Sequence, residues 1–123
     1  MASILVVEDD EDLSSTMVEW LAFNNHEVEA ALDGLAGLDM MRSKEFDVII
    51  LDWQLPSMLG IDVCRAYRKS GGKSAVLMLT GRRDASEREA CMDAGATEFL
   101  PKPFRLDQLT SQIEKVLSSI GAK

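Results

Sequence analysis

Val48-Ile49-Ile50-Leu51-Asp52-Trp53-Gln54-Leu55-Pro56-Ser57-Met58-Leu59-Gly60 contains the change of pattern that decides the fold. A run of apolar, mostly β-branched residues stops abruptly at an acid. The run is too short for a buried helix and has the composition of a strand covered on both faces. The stretch around Pro56 and Ser57 reads as a loop. A helix then extends to about Lys69, where Ser70-Gly71-Gly72 breaks it.

The same cycle recurs on either side. Ile4-Leu5-Val6-Val7 ends in Glu8-Asp9-Asp10-Glu11-Asp12, after which Leu13, Met17, Trp20 and Leu21 recur at helical spacing. A weak strand from Glu27 to Ala31 and a helix through Leu35, Leu38 and Met41 follow. Beyond the opening stretch come a strand from Ala75 to Leu79 ending at Thr80, a polar helix from Asp84 to Ala94, and a short strand Glu98-Phe99-Leu100. Leu106, Leu109, Ile113, Val116, Leu117 and Ile120 mark a last amphipathic helix. Five strand-helix pairs predict an α/β protein with a five-stranded parallel sheet, doubly wound, with helices on both faces.

Composition narrows the function. With 123 residues, 46% hydrophobic and 28% charged, the chain reads as a single domain over residues 1–123 with no effector domain attached. Its 21 acids against 13 bases give a net charge of −8, which disfavours autonomous binding to nucleic acid or anionic membranes. The charge is also lopsided. Residues 1–62 hold 14 acids against Arg42 and Lys44, net −12, whereas residues 63–123 hold 7 acids against 11 bases, net +4. Cys64 and Cys91 lack the spacing of a zinc or redox site and read as small buried hydrophobes, which favours a reduced, cytoplasmic setting. Neither a signal peptide nor a membrane span is evident.

In doubly wound sheets, ligands bind outside the carboxyl ends of the strands. The polar residues at those ends are Glu8 and Asp9, Asp52, Thr80 and Lys102. If the first, third and fourth strands are neighbours, three carboxylates converge and need compensation, most simply by a hard, oxygen-seeking cation such as Mg²⁺ or Mn²⁺. An ammonium and a hydroxyl beside that cation form a clamp for a transferring phosphoryl group, with Asp52 as the nucleophile that accepts it as an acyl phosphate. Gly81, next to Thr80, leaves a path for the donor.

The runs ILVVEDD (4–10), VIILDWQLPSMLG (48–60), LMLTG (77–81) and GATEFLPKPF (95–104) closely resemble the receiver domain of two-component response regulators, over essentially the whole chain. The resemblance implies a flavodoxin-like fold with Asp52 as phosphoacceptor. It implies Mg²⁺ held by Asp9, Asp52 and the backbone carbonyl of Gln54, with Glu8 completing the acidic pocket, through water if not directly. It also implies a switch in which the Thr80 hydroxyl moves to the phosphoryl group and Phe99 turns inward, a cis Lys102-Pro103 bond, and Gln54 and Arg82 flanking the path of attacking water. The implied donor is a sensor histidine kinase or histidine phosphotransfer protein, docking on the first-helix surface around Ser15, Val18 and Ala22. The implied output is a downstream protein or an effector domain beyond this chain. Such a domain catalyses only its own phosphorylation and autodephosphorylation, and by itself binds no nucleic acid and no membrane. Dimerising members use an acid after Gly-Ala and an arginine on the last helix; here Glu98 stands for the first, but Gln112 occupies the place of the second.

Blander readings account for other features. Asp10, Glu11 and Asp12 suit a helix N-terminus. Ser70-Gly71-Gly72-Lys73-Ser74 precedes a strand, where a nucleotide-binding loop follows one. His26, the only histidine, has no partner in reach and cannot serve as an internal phosphodonor. Met40, Met41, Met58, Met78 and Met92 read as packing. Of the fourth helix, only Ala85, Ala90, Cys91, Met92 and Ala94 are expected to bury, which leaves it loosely held. The competing function is a docking module with the same fold and no phosphorylation.

Overall fold

A computed structural model describes residues 2–81 and 85–119. Strands and helices alternate through β1 (Ser3–Val7), α1 (Glu11–Phe23), β2 (Glu27–Ala31), α2 (Gly34–Ser43), β3 (Val48–Asp52), α3 (Gly60–Lys69), β4 (Ala75–Thr80), α4 (Ala85–Asp93), β5 (Glu98–Pro101) and α5 (Leu106–Ser119). The strands form one parallel sheet in the order β2-β1-β3-β4-β5. This is the five-stranded doubly wound α/β architecture expected from the alternation of apolar runs.

The alternating pleat splits each apolar run between two cores. Leu5, Val7, Ile49, Leu51, Val76 and Met78 pack against α2, α3 and α4, whereas Ile4, Val6, Val48, Ile50, Leu77 and Leu79 pack against α1 and α5. Burial on both faces explains why β1, β3 and β4 read as unbroken hydrophobic runs. The edge strand β2 is only partly covered, which is why its pattern is weak.

Two apolar positions depart from the expected stripes. Leu35 is 52% exposed, because α2 turns its glycines inward instead: a Cβ at Gly37 would stand 2.8 Å from Val7 Cγ1, so glycine lets the helix lie directly on β1. Met92 is 39% exposed and does not pack in the core. His26 corrects a third expectation, since its Nδ1 accepts a hydrogen bond from the Ala2 N–H at 3.1 Å. Burial accordingly lowers its pKa. Cys64 and Cys91 are free and fully buried, and burial pushes the Cys91 thiol up to about 11. Ile120 lies outside the described residues.

Candidate phosphoryl-transfer site

The β1-α1 junction places two carboxylates by different means. Asp10 accepts hydrogen bonds from the N–H groups of Asp12 and Leu13 at 3.1 Å, capping α1 and fixing the turn. Glu8, just before it, is 1% exposed, and its Oε2 accepts from the Asp10 N–H at 3.1 Å. Asp9, between them, is exposed.

Asp52 ends β3, the central strand. The Trp53 N–H donates to the Leu79 carbonyl at 2.8 Å, continuing the pairing with β4 one residue past the strand. The chain then loops back so closely that a Cβ at Gly60 would land 1.9 Å from the Asp52 carbonyl oxygen. No side chain fits there, so Gly60 is a steric condition on the position of Asp52. That role was not visible in the sequence, where Gly60 reads only as the end of a loop. Asp33 and Ser57 brace the far side of this loop: the Ser57 hydroxyl donates to the Asp33 carboxylate at 3.0 Å.

Lys102 follows β5 and reaches back across β4. Its N–H donates to the Thr80 carbonyl at 2.6 Å, and its peptide bond to Pro103 is cis. The ammonium donates to Glu8 Oε1 at 2.8 Å and stands 3.0 Å from Asp52 Oδ1. Carboxylate oxygens of Glu8, Asp9 and Asp52 lie within 4.8 Å of one another. One ammonium among three carboxylates leaves excess negative charge. Burial and the adjacent Glu8 charge raise the Asp52 pKa to about 6, against the pull of Lys102. Burial disfavours the Lys102 ammonium, but its hydrogen bonds to Glu8 and Asp52 outweigh that cost and hold its pKa above the ordinary value. The oxygen-only donor set and the uncompensated charge fit a hard divalent cation.

Asp52 and Lys102 share a cavity of about 300 Å³ with Trp53, Gln54, Gly81 and Glu87. A Cβ at Gly81 would meet nothing within 4 Å, so this glycine borders open space. Glu87 is the surprise. It is 8% exposed, although α4 was expected to bury only small and apolar residues. In the sequence it is one acid among several in a polar helix, and nothing there reports which way the helix faces. A larger groove, about 870 Å³, lies at the opposite ends of β3 and β4, away from these carboxylates.

Two further candidates, Thr80 and Phe99, lie on β4 and β5. Thr80 is fully buried at the end of β4. Register pairing of Met78 with Phe99 puts Phe99 on the same sheet face as Met78 and Thr80, one step from the hydroxyl. Phe99 is half-buried at the margin of the core. Arg82 lies outside the described residues.

A family model described as "Response regulator receiver domain" matches residues 4–114. The chain belongs to that family. Its role is in two-component signalling. It is 42% identical over 114 residues to the response regulator MprA of Mycobacterium avium, a match covering 93% of this chain and 50% of that protein. The chain therefore spans about half the length of the curated relatives it matches. Among solved structures, the chemotaxis protein CheY4 of Vibrio cholerae superposes with a TM-score of 0.90 at 32% identity, covering 95% of this chain and 99% of the other. The BeF3-activated DrrB receiver domain gives 0.85 at 28% identity, over 96% and 98%.

Within this receiver, the first-helix surface carries Ser15 and Ala22 exposed and Val18 half-buried. Glu98 is engaged inside the chain, 3.2 Å from Lys115 Nζ and 3.9 Å from Arg88 Nη2. Among the described residues, no helix is long and apolar enough to cross a membrane.

Proposed function

We propose that this receiver accepts a phosphoryl group on Asp52, from a phosphohistidine of a sensor kinase or phosphotransfer protein, and answers by changing an interaction surface. The observation that carries the reading is the Lys102 ammonium, held between Glu8 and Asp52 at 2.8 and 3.0 Å inside a cluster of three carboxylates. In that step, an Asp52 carboxylate oxygen attacks phosphorus, the P–N bond breaks, and its electron pair leaves on the donor imidazole.

Asp9, Asp52 and the Gln54 carbonyl are the proposed holders of Mg²⁺ or Mn²⁺, with Glu8 behind them. The bound cation supplies the positive charge that lets anionic donor and nucleophile approach. Both Glu8 oxygens already accept hydrogen bonds, which suits a supporting place for it. Lys102 stabilises the phosphoryl oxygens, and the Thr80 hydroxyl donates to one of them, vacating space into which Phe99 turns. The open border at Gly81 supports the donor path, and Gln54 and Arg82 are the proposed flanks of the water that later hydrolyses the acyl phosphate. The protein thus acts only on itself. We read residues 1–123 as one receiver unit, working in the cytoplasm, where its free cysteines stay reduced. Ser15, Val18 and Ala22 mark the proposed donor-docking face, and output passes to a downstream protein or an effector domain.

Incubation with acetyl phosphate and Mg²⁺, followed by intact-mass measurement, tests this. One phosphoryl mass should appear on the wild type and none on Asp52→Asn. Equal gain in both, or none in either, would favour the docking-only module, whose chemistry-free function gives no reason to bury an uncompensated carboxylate cluster.

A further inference from the structure

Arg88 leaves α4 and lies against β5. Its guanidinium carbon stands 5.1 Å from the centroid of the Phe99 ring, within the range of a cation-π contact, and Nη2 is 3.9 Å from Glu98 Oε1. Glu98 is itself anchored: its side chain is 14% exposed, Lys115 of α5 holds Oε2 at 3.2 Å, and Oε1 accepts from the Phe99 N–H at 3.2 Å. The arginine is thus tethered at one end to a residue fixed on β5 and α5, with its guanidinium over the Phe99 ring, which shares its sheet face with Thr80.

We propose that Arg88 is a positioning residue that latches Phe99 in its outward, half-buried place and so sets the balance between the two states of the switch. The inference rests on the reading of Asp52 as phosphoacceptor and of Thr80 and Phe99 as the moving pair. An inward turn of Phe99 withdraws the ring from beneath the guanidinium, and the long, 3.9 Å pair of the exposed Arg88 with Glu98 is too weak to replace what is lost. The outward state therefore holds an interaction that the inward state lacks. Any ligand that selects the inward state works against it, and its apparent affinity is reduced by the fraction of protein already inward.

Beryllium trifluoride, which adds to a carboxylate as a phosphoryl analogue without group transfer, measures that affinity. It can be titrated with excess Mg²⁺ and followed by the fluorescence of Trp53, which lines the Asp52 cavity. A solvent-exposed cation-π contact corresponds to about a two- to fivefold change in an equilibrium constant. Arg88→Ala should tighten beryllium trifluoride binding by about that factor. In a Phe99→Leu background, which keeps apolar bulk without the ring, the same Arg88→Ala change should have no effect. A merely structural role for Arg88 would instead move both backgrounds alike. Unchanged affinity in Arg88→Ala, or an equal gain with and without the ring, overturns the latch while leaving the Asp52 reading intact. Failure of the wild type to bind beryllium trifluoride overturns both. Circular dichroism of all four proteins verifies that each is folded.

Discussion

Asp52→Asn should make the metal-free protein more stable at neutral pH. Asp52 has a folded pKa of about 6 against an ordinary 3.8, because burial and Glu8 disfavour its charge more than Lys102 favours it. For a carboxyl whose pKa rises on folding, the destabilisation is absent below the unfolded value and grows as pH passes from 3.8 to 6. It is then complete. At 1.36 kcal/mol per pKa unit, the ionised group costs the fold about 3 kcal/mol at pH 7.5 and about half as much at pH 5. Asparagine keeps the shape of the neutral acid and retains a carbonyl oxygen to accept from Lys102. Urea unfolding in EDTA, followed by far-ultraviolet circular dichroism, should therefore show Asp52→Asn ahead of the wild type by about 3 kcal/mol at pH 7.5, with the gap roughly halved at pH 5. Mg²⁺ should narrow the gap by stabilising only the wild type. A variant less stable than the wild type at pH 7.5, or a gap that does not change with pH, refutes the argument that buried, uncompensated charge raises the Asp52 pKa.

Two further substitutions test the scaffold beneath the site. Gly60→Ala forces a Cβ toward the Asp52 carbonyl and should cost about 3 kcal/mol in urea unfolding while also weakening Mg²⁺ binding read by Trp53 fluorescence. Arg68 donates to the Gly95 and Gly72 carbonyls at 2.9 and 3.0 Å, tying α3 to the turns before β4 and β5. Arg68→Ala should lose about 2 kcal/mol, equally with and without Mg²⁺, because these bonds lie away from the carboxylates.

What the sequence made legible follows from the range of the forces involved. The apolar runs at Ile4–Val7, Val48–Leu51 and Ala75–Leu79 carry the fold locally, since a strand buried on both faces cannot hide its composition. The residues that end those runs carry the site, because a parallel sheet gathers its strand ends along one edge. Their meeting, however, was conditional on strand order, which no periodicity encodes; the pairing of β1 with β3 and of β3 with β4 supplies it. Illegible were the features set by how a helix is rotated against the sheet. Leu35 and Met92 are outward and Glu87 inward for that reason. The contact of Arg88 with Phe99 is hidden in the same way, since each residue alone reads as surface cation or core aromatic. Gly37 and Gly60 were hidden for a different reason: their roles are distances to atoms of other segments.

The net charge of −8 first reads as a statement about partners, yet its distribution says more about folding. All three clustered carboxylates come from the half with net −12, and Lys102 comes from the half with net +4. Lys102 can meet them only after β4 has paired with β3 and β5 with β4, since its own N–H is anchored to the Thr80 carbonyl at the end of β4. Without that contact, Glu8 and Asp52 would face each other with no cation from the chain between them. Their repulsion opposes the pairing of β1 with β3, and Lys102 offsets it only in part, because the Asp52 pKa stays at about 6 with the ammonium in place. Three carboxylates thus outweigh the one ammonium among them, and a divalent cation in the cluster would supply the charge that the chain itself does not.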